Sequence, residues 1–314
     1  MSTAPVSIQP TKRTLSQRFR RDLNQHWPAY LMIIPAIALT FLFSYVPMYG
    51  IVLAFKKYNP MKGIMGSPWI GLTHFSKFLS SPYFIQLLRN TLRISIYGIV
   101  VSYPLQIILA LLINELHNLR FKKVVQTISY MPYFISMVVL CGMLKSFLSY
   151  DGLFNSVRLL FGGEPINFLS DPKYFPSIIV WSDQWTGLGW GTIIYLSALS
   201  SIDQQLYESA RIDGCGRFRQ ALHVTIPGII PTIAMLMILN INVLAVNSEK
   251  ILLLYTPLTY ETGDVFGTFI YRQGIKGGKY DYTTAVGLLG TTVALLTTLF
   301  VNWVSKKTTE QSLW

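Results

Sequence analysis

Long apolar runs separated by short polar stretches dominate the chain, and their lengths suit a bilayer better than a globular core. Residues 30–55 carry no charge, exceed the core of a cleavable leader, and follow a basic segment, 1–29, with Lys12, Arg13, Arg18, Arg20 and Arg21. They predict a first span, broken locally by Pro35 and Pro47. Further spans are expected at about 94–114 and 124–144, each about 31 Å of helix, and then at about 175–199, 228–247 and 282–305. A short basic turn with Arg120, Lys122 and Lys123 separates the second and third. Residues 56–93 carry turn signals at Asn59-Pro60, Gly66-Ser67-Pro68 and Ser81-Pro82. With Phe75, Phe78, Phe84, Leu87 and Leu88 they read as an interfacial segment rather than a crossing. Residues 145–174 read as an exposed loop, and Lys306 and Lys307 open a polar tail, 306–314. Gly187, Gly189 and Gly191 are placed to let the fourth span approach a neighbour closely. The expected fold is all-α and membrane-embedded, with six spans.

The polar stretch 201–227 interrupts this pattern and acquires one of its own. Asp203 or Ser201 can cap a short helix with Leu206, Tyr207 and Ala210 on one face, and Gly214 supplies the turn that ends it. Phe218, Ala221 and Leu222 then recur at helical spacing, with Arg217 and Arg219 off that face, until Pro227 removes a backbone donor and is expected to force a new segment. The result is a helix, turn, helix elbow between spans four and five.

This elbow resembles the Glu-Ala-Ala loop of the permease subunits of binding-protein-dependent ATP-binding-cassette (ABC) importers. In that pattern Glu-Ala-Ala is followed by three residues, a Gly, nine residues and Ile-x-Leu-Pro. Glu208, Ala210, Asp213, Gly214 and Pro227 fall in register; Ser209 replaces the second residue, and Val224 and Ile226 replace the apolar pair. The resemblance implies a bundle of the type I importer permease kind whose loop docks on a separate ATPase. Tyr207, Glu208, Ser209, Ala210, Arg211, Asp213, Gly214, Arg217 and Pro227 would form the coupling surface. Glu208 would make a charge-assisted contact to a basic group of that ATPase; read by itself it is more readily a solvated acid favoured near a helix start, and the register of the whole pattern reverses that preference. Asp213 and Arg211 divide evenly between contacts to the partner and local turn bonds.

Composition narrows the class. With 51% hydrophobic and 13% charged residues the chain has too little charge for a soluble surface. Its formal charge of +12 is explained by anionic lipid head groups near span ends, and no aromatic-basic nucleic-acid motif accompanies it. Cys141 lies in a span and Cys215 in the elbow, so no disulfide is expected. The histidines, His26, His74, His117 and His223, are scattered, and no metal-ligand spacing results. Gly277-Gly278-Lys279 lacks the upstream Gly and following Ser or Thr of a phosphate loop. No cofactor is therefore expected on this chain, and ATP and Mg would sit on the partner ATPase. No nucleophile, base and orienter can be assembled at the span ends, which argues against an enzyme.

Six spans put both termini and the elbow on one side. That side and its opposite each hold thirteen Lys and Arg, so charge favours a cytoplasmic assignment only through its denser crowding at span ends. The resemblance implies the same orientation, in a bacterial cytoplasmic (inner) membrane. It also implies the partners: a second permease in a heterodimer, two ATPase subunits and an extracytoplasmic solute-binding protein.

Polar side chains inside spans are costly unless they face a cavity or a neighbouring helix. Gln106, Asp183, Gln184, Asn240, Asn242 and Asn247 are therefore candidates for a substrate path. Trp181, Trp185, Trp190 and Tyr195 join them because sugar rings stack on aromatic faces. The plain alternatives are interfacial anchoring for Trp and interhelical bonding for Asn. Lys56-Lys57-Tyr58-Asn59-Pro60, Gly63-Ile64, Gly66-Ser67-Pro68-Trp69 and Asn90-Thr91 are similar to the polysaccharide and oligosaccharide branch of sugar permeases, including the larger permease of alginate-type importers. This likeness implies an oligosaccharide or polysaccharide substrate, acidic in kind, which the outer basic residues would suit by steering. The competing class is a self-sufficient secondary transporter or channel, against which neither paired broken helices nor an inverted repeat is evident.

Overall fold

The computed structural model describes residues 15–240 and 248–309. The chain divides into two units at Val52 and Leu53. In the first, α1 (Leu15–Thr40) departs from helical backbone at His26, near Pro28, and passes through Pro35 without ending. A π turn (Phe41–Tyr45) and a 3-10 stretch (Val46–Phe55) follow. Of the two expected breaks, only Pro47 coincides with a change of helix type. The run Gln25–Phe55 is long and apolar enough to cross a membrane.

The second unit opens on an isolated bridge between Lys56 and Trp69, with α2 (Gly63–Gly66) inside the loop it closes and α3 (Thr73–Leu79) after it. The long helix α4 runs Pro82–Asn114. The helix begins at Pro82, ahead of residue 94, where the expected span starts. Ser81-Pro82 reads as a turn signal, but a proline at the first helical position costs no hydrogen bond and pre-sets φ, so the pair begins a helix instead. Phe78 and Leu87 are fully buried with Phe266, Phe269 and Val286, with Phe84 and Leu88 packed alongside, so these apolar residues serve a protein core.

The third span is likewise not one rod. Helix α5 (Leu119–Tyr130) is capped by Asn118, whose Oδ1 accepts from Arg120 N at 3.0 Å and Phe121 N at 3.2 Å. It runs through a 3-10 turn, Met131–Phe134, and meets α6 (Met137–Phe147) at 94°. Pro132 and the extended, capping Ser136 cause the bend, because neither continues an α-helical hydrogen-bond ladder. The loop beyond contains α7 (Leu153–Leu160), held by the buried Asn155. Its Nδ2 donates to Ser149 O at 3.0 Å and Ile166 O at 2.8 Å, and its Oδ1 accepts from Ile166 N at 2.9 Å.

Helix α8 (Phe175–Ser200) matches its expected bounds within a residue and packs most extensively on α4. Two of its three glycines allow close approach. A Cβ on Gly189 would lie 2.1 Å from Ser129 O, and one on Gly191 would lie 2.4 Å from the Gln106 side chain, whereas one on Gly187 would meet nothing within 4 Å. The elbow follows as α9 (Gln204–Ile212) and α10 (Arg217–Gln220), and the latter continues through a π turn (Ala221–Thr225) into α11 (Ile226–Asn240). Expected span five extends to residue 247; residues 241–247 lie outside the described residues. Then come α12 (Ser248–Leu254), a 3-10 turn (Pro257–Thr259), α13 (Tyr260–Gly263), α14 (Phe266–Ile270), a π turn (Tyr271–Lys276) and α15 (Tyr280–Thr309).

Among the described residues four helices are long and apolar enough to cross a membrane, or five counting the bent pair as one. Helix α8 has the length, 26 residues or about 39 Å, but Ser182, Asp183 and Gln184 dilute its apolar character. Three apolar clusters hold the second unit. One joins α4, α6, α8 and α12 around Phe175 and Ile179, one joins α3, α4, α14 and α15 around Phe78, and one joins α4, α8 and α11 around Tyr195 and Ile229.

Candidate coupling elbow and substrate path

Local hydrogen bonds make the elbow a braced body. Asp203, in extended conformation, caps α9 by accepting from Gln205 N at 2.9 Å; Ser201 instead caps the end of α8. At the far end Gly214 has φ +75, a conformation in which a side chain would be strained. Its N–H donates to Arg211 O at 3.0 Å, and Cys215 N–H to Ala210 O at 2.9 Å, which closes the helix in the manner of a Gly-terminated cap. Two side chains then tie the second arm back. Gln220 Nε2 donates to Cys215 O at 2.7 Å, and the Tyr207 and Thr225 hydroxyls bond at 3.0 Å. Replacing Asp203 by Ala is expected to lower stability by roughly 0.5–2 kcal/mol, read as earlier thermal loss of the detergent-solubilised protein, while Ser201→Ala leaves α9 unaffected.

Pro227 does not start a new segment. The apolar run Arg217–Met237 is one candidate span, and the π turn immediately before Pro227 supplies the correction. Its wider ladder adjusts the turn in which proline lacks a donor, so the helix passes through without stopping. The second arm of the elbow is thus the cytoplasm-expected end of span five itself.

The residues singled out in the elbow separate into brace and surface. Tyr207, Ala210 and Gly214 belong to the brace, together with Gln220 and Thr225. Glu208, Ser209, Arg211, Asp213 and Pro227 are exposed. Glu208 lies mid-helix, beyond the first turn, which removes the helix-start explanation for an acid here. Its carboxylate makes no hydrogen bond or ion pair among the described residues. Asp213 ends α9 through its backbone N–H. Arg217 reaches Glu115 at 3.6 Å across a cavity of about 180 Å³ that His117, Tyr207 and Arg211 also line. Ile212 and Phe218 are 86% and 79% exposed. Adjacent apolar residues and an unpaired acid on a braced knob are what a docking surface presents.

The path candidates do not converge on one place. Gln106 Nε2 donates to Ser102 Oγ at 3.0 Å, and its side chain abuts Gly191. Asp183 pairs with Lys250 at 2.6 Å. Gln184 is buried with its Oε1 unpartnered, and Tyr195 is fully buried in the α4–α8–α11 cluster with its hydroxyl unpartnered. Trp185 is half exposed, and Trp190 stacks on Tyr133 at 4.6 Å and 6°. Trp181 Nε1 donates to Tyr97 Oη at 2.9 Å. Asn242 and Asn247, and the side chain of Asn240, lie outside the described residues.

Sequence reasoning missed Lys250, which reads as one more basic residue of an outer loop. It also missed the packing of the 260–282 region. There Asp264 pairs with Arg272, whose guanidinium sits 4.2 Å over the Tyr260 ring, and Asn90 Nδ2 donates to Glu261 O at 2.8 Å and Asp264 O at 3.0 Å. Asp281 accepts from Tyr58 N at 2.9 Å and lies 3.3 Å from His74. The Asn90-Thr91 pair, noted for its resemblance, was the available signal: both are buried polar residues in α4.

The described residues thus form a helical protein with several helices long and apolar enough to cross a membrane and a braced knob between two of its long helices, α8 and α11. The chain belongs to the family of binding-protein-dependent transport system inner membrane components, whose model matches residues 102–310. It is 40% identical to the polygalacturonan/rhamnogalacturonan transport system permease protein YteP of Bacillus subtilis (strain 168), over 96% of this chain and 95% of that one. It is 38% identical to protein LplB of the same organism, over 90% of each chain. Among solved structures, a chain of a bacterial ABC transporter for import of the acidic polysaccharide alginate matches with TM-score 0.85 and 40% identity, covering 93% of this chain and 99% of that one. A chain of the alginate transporter in complex with its alginate pentasaccharide-bound periplasmic protein matches with TM-score 0.86 and 39% identity, over 94% and 100%. The chain is an inner-membrane, multi-pass permease subunit of the ABC sugar importer type.

Proposed function

We propose that this subunit forms half of the translocation pore of an importer for an acidic oligosaccharide or polysaccharide of the polyuronate class. A second permease forms the other half, a solute-binding protein delivers the sugar, and two ATPase subunits hold ATP and Mg and hydrolyse the nucleotide. The observation that carries the substrate class is that a 40% identical relative is named for polygalacturonan and a 40% identical solved chain belongs to an alginate importer. Galacturonate and alginate polymers share a carboxylate on each sugar. The outer-side Lys and Arg suit them through long-range attraction that raises local substrate concentration.

The elbow supports the drive mechanism. Its exposed Glu208 is free to pair with a basic group of an ATPase, and its brace passes a displacement to α8 and α11 with little slack. In this reading the elbow, the basic N-terminal segment and the tail face the cytoplasm, where the charge is more crowded at span ends. The test is ATPase activity of the assembled transporter with its binding protein. Uronate oligosaccharides are expected to stimulate hydrolysis at least several-fold more than neutral oligosaccharides of equal length, and stronger stimulation by neutral sugars would overturn the substrate class.

A further inference from the structure

Among the described residues, Lys250 is the only lysine or arginine that is buried, and its side chain is 0% exposed. Its Nζ donates to Asp183 Oδ1 at 2.6 Å and to Ile179 O at 3.4 Å. Ile179, whose carbonyl Lys250 reaches, and Ile251, its neighbour in α12, belong to the apolar cluster of Ile94, Cys141, Val180 and Leu254 that joins α4, α6, α8 and α12. An ammonium group in such a place is sustained only by its counter-charge and hydrogen bonds, and an apolar side chain would fill the volume without that cost. Asp183 is 40% exposed, so the pair joins a buried cation to a carboxylate at the edge of the core.

The position of the pair in the chain gives it a mechanical meaning. Helix α8 enters the elbow and α11 leaves it. Close to the elbow the two helices are held by Tyr195, Leu199 and Ile229. Asp183 lies about 26 Å along α8 from Ser200. Lys250 stands on α12, the first described element after α11. The ion pair thus ties the segment downstream of α11 to the far half of α8. An apolar contact can slide, whereas a short, directional pair in a low-dielectric site holds one register.

We infer that Lys250 and Asp183 form a positioning pair that fixes α12 to the far half of α8, so that ATPase motion entering α8 at the elbow is passed to α12 and on to the sugar path without slip. This rests on the elbow being the point of drive. In the assembled transporter with its binding protein, Lys250→Met removes the pin and leaves Asp183 able to hydrate. ATP hydrolysis is expected to stay within about twofold of the unaltered complex while sugar taken up per ATP falls about tenfold. Asp183→Asn, which keeps size and one hydrogen bond, is expected to lower the same ratio about threefold. Should Lys250→Met not assemble, the double variant Lys250→Met/Asp183→Leu leaves no lone charge in the core and carries the same measurement, with the same tenfold loss expected. An unchanged ratio in an assembled Lys250→Met or double variant overturns the inference. A Glu208→Ala control separates the two readings. If it transports normally, the elbow is not the point of drive and the pin falls with it. If it stops uptake while Lys250→Met keeps its ratio, only the pin is overturned.

Discussion

Reversing the charge at Glu208 is expected to reduce ATP-driven uptake to background while the protein inserts and folds as before. Insertion survives because the Glu208 carboxylate has no partner among the described residues and is exposed, so neither a cap nor a core contact is lost. In the proposed docking, coupling fails because Glu208→Lys would remove a charge-assisted contact to the ATPase and set like charges against each other. Together these amount to about 3 kcal/mol or more, roughly a 100-fold loss of productive docking. Glu208→Ala, which removes the contact without adding repulsion, is expected to lose about tenfold or more. Uptake into vesicles, co-purification of the ATPase and the melting of the permease should be measured together. Normal uptake by the Lys variant would show that the elbow does not carry the drive.

Adding a single methyl group at Gly189 is expected to damage the bundle more than any surface change. A Cβ there would lie 2.1 Å from Ser129 O and 2.4 Å from Ser129 C. Those are backbone atoms, which cannot rotate aside, so α8 and α5 must separate. Separation would also loosen the Trp190–Tyr133 stack one residue along. The cost is about 1–3 kcal/mol by analogy with overpacked cores, read as a lower melting temperature and reduced yield of assembled transporter. Gly187 is the internal control. With nothing within 4 Å of its Cβ position, Gly187→Ala is expected to be neutral or to stabilise the helix by up to about 1 kcal/mol. Equal melting temperatures for the Gly189→Ala and Gly187→Ala variants would refute the close crossing.

The contrast between those glycines shows where reading the chain stops. Both sit at the same spacing in the same helix, and only the partner surface tells them apart. Pro227 is a similar case. Proline's missing donor is a local fact, but the π turn over Ala221–Thr225 that accommodates it depends on how the elbow and α11 are held. Ser81-Pro82 has two local meanings, a turn or a helix start, and the burial of Phe78 and Leu87 chose the second. Tyr195 and Trp190 were both legible as aromatic residues of span four, yet one is sealed in a core and the other is half exposed and stacked on Tyr133.

What the sequence determined by itself was the solvent, the helical class and the place of the elbow. Those follow from local quantities: the length of apolar runs, the scarcity of charge, and a Glu, Asp-Gly and Pro in fixed register between two spans. The tertiary structure alone decided which polar residues pair and which stay open. Asp183 finds Lys250 across a gap of 67 residues, while Glu208 finds no partner among the described residues. No periodicity encodes that difference, because the energy of a buried charge depends on atoms brought to it from elsewhere in the chain.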